Sequence, residues 1–180
     1  IKDILNNCKD QKANFKPGKS TKSVYSATND LLLGKIIEKI TGDSLEKAFH
    51  DFHFSRLSMN QTYVYTDIHD RTTALFSYKN HPLILPLAMS SFGGSGGIVS
   101  TARDSLTFLK AFFHGHLFPM SELENLMNWI PVKQGLRQGI GISHYQKPRI
   151  FPLASKEPEF IGYTGHTSGA FSLYAPEFQI

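Results

Sequence analysis

At 180 residues, with 41% hydrophobic and 19% charged side chains, the chain has the makeup of a globular protein with one sizeable core, which excludes disorder as its global state. The longest strongly apolar run, Leu83-Ile84-Leu85-Pro86-Leu87-Ala88-Met89, is too short to cross a bilayer and contains a proline, so no transmembrane helix is expected. The net charge is a mild +4, and the single cysteine, Cys8, cannot form an internal disulfide, which leaves the redox compartment open.

The first 22 residues hold six lysines (Lys2, Lys9, Lys12, Lys16, Lys19, Lys22) against Asp3 and Asp10 alone. The commoner reading of such a run is a solvated face. The other is contact with an anionic surface such as a membrane or cell-wall polymer. Neither helical spacing nor interleaved aromatics accompany the lysines, so nucleic acid is not indicated.

Phe15-Lys16-Pro17-Gly18 signals a turn, and the polar stretch after it leads to Tyr25. Thr28 or Asn29 is then expected to cap a helix that presents Leu32, Leu33, Ile36, Ile37 and Ile40 as one apolar stripe and closes at Gly42. Asp43 with Glu46 forms a second cap, for a helix from Leu45 to about Leu57 that buries Leu45, Phe49, Phe52 and Leu57. From Met59 to Met89 the pattern breaks into short apolar pieces around Pro82 and Pro86, an irregular excursion of the kind that often carries binding residues.

Ser100 is expected to cap a helix from Thr101 to His114, with Gly115 at its end. Ser121 and Glu124 read as a capping box for a short helix through Trp129 that Pro131 stops. After Gly135 the period changes: Ile140-Gly141-Ile142 and Ala170 to Tyr174 alternate as strands do. Phe178-Gln179-Ile180, past Pro176, reads as a further strand in need of a partner. There is no internal repeat and no low-complexity tract. The whole is one α+β domain, mainly helical over 15–134 with a long loop over 59–99, and sheet-forming over 135–180.

Three segments occur in order: Tyr25-Ser26-Ala27 before the apolar helix, Gly96-Gly97-Ile98-Val99-Ser100-Thr101-Ala102-Arg103-Asp104, and Gly162-Tyr163-Thr164-Gly165-His166-Thr167-Ser168-Gly169. Together they resemble the serine β-lactamase-like family, which includes class C β-lactamases, D-Ala-D-Ala peptidases, penicillin-binding proteins and related esterases. The resemblance runs from about Phe15 to Pro176. It implies helices flanking part of an antiparallel sheet in a β-lactamase/transpeptidase-like fold. It also implies acyl transfer through a serine ester followed by hydrolysis, on an amide or ester substrate such as a small molecule or a peptidoglycan stem peptide. Neither metal nor organic cofactor is implied, and the family's setting is periplasmic, extracellular or membrane-anchored.

In that family Tyr25 would be the catalytic acid/base. A tyrosine ordinarily ionises near pH 10, so as a base it needs either cationic neighbours or a network that carries its proton away. Without the resemblance, Tyr25 reads as an aromatic anchoring a helix start. Ala27 stands where the family usually has Asn, whose amide donates to a substrate carbonyl as a methyl cannot. Tyr163-Thr164-Gly165 takes the place of a Lys-Thr-Gly or His-Ser-Gly strand, where a cation meets a substrate carboxylate and backbone helps bind the oxyanion. Tyr163 brings a hydroxyl and no charge there, and His166, three residues on, alternates to the opposite face.

The family's Ser-x-x-Lys nucleophile belongs upstream of the Tyr turn. The one match, Ser44-Leu45-Glu46-Lys47, lies downstream, where a helix cap explains it. The nucleophile and the partner strands are therefore expected outside these 180 residues, and this chain alone is expected to be inactive. Two other readings compete. Gly93-Gly94-Ser95-Gly96-Gly97 matches the Gly-x-Ser-x-Gly elbow, although a poor strand precedes it. A non-catalytic binding or sensor domain with the same fold would explain both Ala27 and Tyr163. The histidine pairs His50/His53 and His114/His116 lack the further ligands that a metal site requires.

Overall fold

The computed structural model describes residues 6–7, 9–16, 18, 21–146, 158–165 and 169–178. The chain forms two compact units, Ile1–Lys12 with Tyr25–Asp104, and Ala13–Val24 with Ser105–Ile180.

The first unit is organised on helix α1, Ala27–Thr41, which begins behind Ser26. The start comes earlier than a Thr28 or Asn29 cap would place it, because the Asn29 N–H already bonds the Ser26 carbonyl at 3.0 Å. Gly42 ends the helix in the left-handed conformation (φ 76°), donating to the Glu38 carbonyl, where a side chain would be strained. The expected apolar stripe is not the buried one. Leu33, Ile36 and Ile40 are 57%, 51% and 79% exposed, whereas Gly34 is buried. The reason is a backbone contact: α1 packs Gly34 against Gly94, and a Cβ on Gly94 would come within 2.3 Å of the Asp30 carbonyl oxygen. Small residues let the helix approach closely on that side and turn the larger ones away.

Helix α2, Leu45–Phe49, is capped by Ser44, whose hydroxyl accepts from the Lys47 N–H at 3.2 Å; the cap is Ser44 and not Asp43. It continues as a π-helix over His50–Phe54. The wider turn inserts one residue and rotates the phase, so Ala48 and Phe54 are buried with Leu45 while Phe52 is exposed. The segment that follows contains more regular structure than its composition suggests. Strand β1 (Tyr63–Val64) pairs antiparallel with β4 (Ile98–Val99). Strands β2 (Phe76–Tyr78) and β3 (His81–Leu83) form a hairpin whose two-residue turn, Lys79-Asn80, has φ of 48° and 64°, the mirror-image turn that suits strand twist. Pro86 opens helix α3, Pro86–Ser91, at the position where its missing N–H costs nothing, and a 3₁₀ turn over Gly93–Ser95 leads to β4.

Helix α4, Ala102–Phe113, starts in the first unit and runs on in the second. Its cap is Thr101, one residue after the expected Ser100: the Thr101 hydroxyl accepts from the Asp104 N–H at 3.2 Å. Ser100 bonds Thr62 instead, at 2.8 Å. Helix α5, Met120–Leu126, follows Pro119 with no side-chain cap, so the Ser121/Glu124 box does not form. It ends before Trp129, and Pro131 sits in strand β5 (Ile130–Lys133) rather than stopping a helix. Strand β5 pairs with only one neighbour among the described strands, where a proline's missing donor is tolerated.

The second unit's sheet is an antiparallel meander, β5 to β6 (Leu136–Gln138), β7 (Ser143–Tyr145), β8 (Phe160–Thr164) and β9 (Phe171–Tyr174), each paired with the next. Ile140-Gly141-Ile142 is a turn and not a strand. Gly141 has φ 72°, Ile142 is buried and Ile140 is exposed; the strand itself begins at Ser143. Residues 176–178 form a turn closed by the Phe178 N–H on the Ala175 carbonyl, so Phe178 is not in a strand, and Gln179 and Ile180 lie outside the described residues. The core gathers Phe113, Leu123, Ile142, Ile161 and Tyr174, with Phe113 stacked on Tyr174 at 4.4 Å between ring centroids. Burying such side chains stabilises by about 1.5 to 3 kcal/mol each. Helices and antiparallel sheet together make the α+β class read from the sequence.

Candidate active site

Tyr25 lies two residues before α1, its side chain 59% exposed at the helix entrance. Asp30, in the first turn of the same helix, is half-buried. Burial pushes its carboxyl above the usual carboxylate range, and the Tyr25 hydroxyl draws it back part of the way. The Gly93–Ser95 turn fixes the backbone here, with Gly94 against the Asp30 carbonyl and the Leu31 side chain at Gly93. Ala27, the first helical residue, presents an exposed methyl.

The β1–β4 ladder is tied to the start of α4 by Asp104, which is 7% exposed and accepts from the Gln61 N–H at 2.9 Å and the Thr62 hydroxyl at 2.8 Å. Tyr63 donates to the Asp70 carboxylate and Tyr65 to the Asp70 carbonyl at 3.1 Å, which draws the following loop onto β1. The loop and α3 line a shallow apolar groove between Tyr65, Phe76, Leu83, Leu85 and Met89.

The serines that carried rival readings have local duties. Ser44 caps α2. Ser95 donates to the Phe92 carbonyl at 2.7 Å and closes a 3₁₀ turn that follows a helix, whereas a nucleophile elbow follows a strand and opens a helix.

In the second unit, Tyr163 on β8 is 41% exposed and, by strand alternation, shares a face with Ile161, which is in the core. Thr164 faces the other way and pairs its hydroxyl with that of Tyr145 on β7 at 3.1 Å. Gly165 donates its N–H to the Ala170 carbonyl at 2.7 Å and its carbonyl accepts from the Gly169 N–H at 3.0 Å. Gly162 is required by a close approach: a Cβ there would meet the Ser172 carbonyl oxygen at 2.0 Å. His166 lies outside the described residues.

Tyr25 and Ala27 thus belong to the first unit, and Tyr163, Thr164 and Gly165 to the second. Two partners escaped sequence reading. Asp30 reads as an ordinary acidic residue in a helix's first turn, and Tyr145 sits in a strand whose first residues, Ser143 and His144, are polar and yet buried. Among the described residues no three His, Cys, Asp or Glu side chains gather as a metal site would need, and no helix is long and apolar enough to cross a membrane.

The Beta-lactamase family model matches residues 2–177. The chain belongs to the β-lactamase family. Its fold is similar to that of a D-stereospecific amidohydrolase from Streptomyces sp., with 25% identity and a TM-score of 0.76 over 96% of this chain and 51% of that one. A D-amino acid amidase from Ochrobactrum anthropi SV3 is similar at 24% identity and a TM-score of 0.71, over 87% of this chain and 48% of that one. A penicillin-binding protein from Bacillus halodurans shares 18% identity and a TM-score of 0.73, over 98% of this chain and 54% of that one. The chain spans about half the length of these relatives. Its α+β architecture is therefore the β-lactamase/transpeptidase-like one, a serine hydrolase-type fold whose relatives are hydrolases.

Proposed function

We propose that the protein is a serine hydrolase that cleaves an amide or ester bond through an acyl-enzyme, with Tyr25 as its acid/base group. The observation that carries the reading is the exposed phenol at the mouth of α1, in a chain matching the family over 2–177. The nucleophile would come from sequence outside these residues, because Ser44 and Ser95 are committed to a cap and a turn. Tyr163, Thr164 and Gly165 would meet the substrate along β8, with Ala27 beside the Tyr turn and His166 after the strand. Without a cation at Tyr163, the site suits neutral amides and esters better than carboxylate-bearing ligands. Small-molecule or peptidoglycan-type substrates fit this chemistry. Lys9, Lys12, Lys16 and Lys22, each exposed, would favour an anionic surface nearby.

A second reading, a non-catalytic binding or sensor domain, is favoured by Ala27 and Tyr163, each of which removes a polar function that the chemistry uses. The experiment is Tyr25→Phe in the full-length protein with a nitrophenyl ester. Turnover should fall roughly 100-fold, the usual worth of a general acid/base, with the thermal midpoint nearly unchanged. Unchanged turnover with lowered stability would make Tyr25 an anchor of the helix start. No turnover by the wild type would favour the binder.

A further inference from the structure

Strand β7 holds β8 by side chains on both faces of the sheet. On the core side, His144 stands opposite Ile161 and is buried; its Nε2 lies 3.1 Å from Glu159 Oε2, and Glu159 Oε1 accepts from the Gln146 side chain at 3.0 Å. On the other side, the hydroxyls of Tyr145 and Thr164 meet at 3.1 Å. That contact is not one between register neighbours. Tyr145 stands across from Phe160, and Thr164 lies further along β8, past Gly162. Gly162 alternates onto the same face as Phe160 and Thr164 and has no side chain to bar the way between them. Thr164 remains half-buried at the last position of β8.

Of the two hydroxyls, a phenol is the stronger donor and the weaker acceptor, because its oxygen lone pair is shared with the ring. The favoured bond therefore runs from Tyr145 to Thr164, and the Thr164 hydrogen is left to be donated onward. A hydroxyl that accepts one hydrogen bond donates the next more strongly. The bond also selects among the few side-chain rotamers open to a β-branched residue.

We propose that Tyr145 is a positioning residue for Thr164, aiming the Thr164 hydrogen at an acceptor oxygen of the substrate, the neutral carbonyl of an amide beside the scissile bond. The inference rests on the reading of β8 as the strand that meets the substrate. It gives the site a polarised donor where Tyr163 brings no cation. Such a donor matches a neutral carbonyl, whereas a carboxylate would call for a charged partner.

The test compares two substrates of the full-length protein: N-acetylglycine nitrophenyl ester, and nitrophenyl pentanoate, which has a similar length and no amide. Tyr145→Phe removes the hydroxyl alone. It should raise KM for the acetylglycine ester roughly 2- to 13-fold, the effect of one neutral hydrogen bond, with kcat nearly constant and a much smaller change for the pentanoate. Thr164→Val should lose the same discrimination between the esters, and Thr164→Ser should keep most of it. Tyr145→Phe added to Thr164→Val should raise KM no further. An unchanged ratio of the two KM values in Tyr145→Phe overturns the proposal, and so do effects that add in full. A lowered thermal midpoint with that ratio intact makes Tyr145 a sheet contact only. These outcomes overturn Tyr145 alone. Thr164→Val with wild-type KM for both esters removes β8 as the substrate strand, and a wild type that turns over neither ester removes the hydrolase reading; the role of Tyr145 falls with either.

Discussion

The two units are held together by different means. In the second, α4, α5 and the meander bury a contiguous aromatic and aliphatic cluster, Phe113, Leu123, Ile142, Ile161 and Tyr174, and side-chain volume does the work. In the first, α1 leaves Leu33, Ile36 and Ile40 exposed and is located instead by a glycine-to-glycine approach at Gly34 and Gly94, while the β1–β4 ladder is fixed by the buried carboxylate of Asp104. A volume-based core tolerates isosteric exchange. A backbone contact and a buried acceptor tolerate little, because one added or removed atom changes the geometry. The candidate acid/base residue Tyr25 stands at the entrance of α1, the helix whose position is set by backbone rather than by packing.

The contrast predicts unequal costs. Leu123→Ala should destabilise by about 2 to 5 kcal/mol, the range for emptying an aliphatic core site, while Leu123→Met should cost less than about 1.5 kcal/mol. Asp104→Ala should cost less, about 1 to 3 kcal/mol, by leaving the Gln61 N–H and the Thr62 hydroxyl without their acceptor. Urea unfolding followed by hydrogen exchange assigns each loss to its unit. A Leu123→Ala cost below that of Asp104→Ala would break the comparison, and so would an Asp104→Ala loss confined to the second unit.

What the sequence reveals follows the same division. Gly42, Gly115 and the change of period after Gly135 were readable because each uses a local rule: a helix end or a turn that needs positive φ. The strand over Phe171–Tyr174 was readable from alternation. The π-helix was not, since one inserted residue shifts the buried face from Phe52 to Phe54 without any compositional mark. Nor was the α1 packing face, because Gly34 and Gly94 meet across 60 residues and their contact outweighs the apolar stripe. The Lys79-Asn80 hairpin lacked the glycine that usually announces such a turn. For the candidate site, Tyr25 is singled out by its position before the apolar helix, whereas Asp30 carries no mark, since a helix's first turn attracts acidic residues for reasons unrelated to chemistry.

The smallest effect compares the two departures from the family pattern, one in each unit. In the proposed site, Ala27 on α1 would lack a hydrogen-bond donor beside the Tyr turn, and Tyr163 on β8 would offer a neutral hydroxyl in place of a cation. An ester asks less help than an amide at its carbonyl and leaving group, so the full-length protein should cleave a nitrophenyl ester in preference to a penicillin. Restoring the amide with Ala27→Asn should raise the penicillin-to-ester ratio of kcat/KM by roughly 2- to 13-fold. That is one hydrogen bond of about 0.5 to 1.5 kcal/mol realised only in the transition state. The residue is exposed at the first helical position, where Asn is tolerated, so stability should hardly change and the ratio reads recognition alone. A wild type that already favours penicillins, with Ala27→Asn neutral or worse, would mean that the methyl does not face the substrate. The substrate preference would then rest on the β8 departure at Tyr163 and not on the Tyr turn.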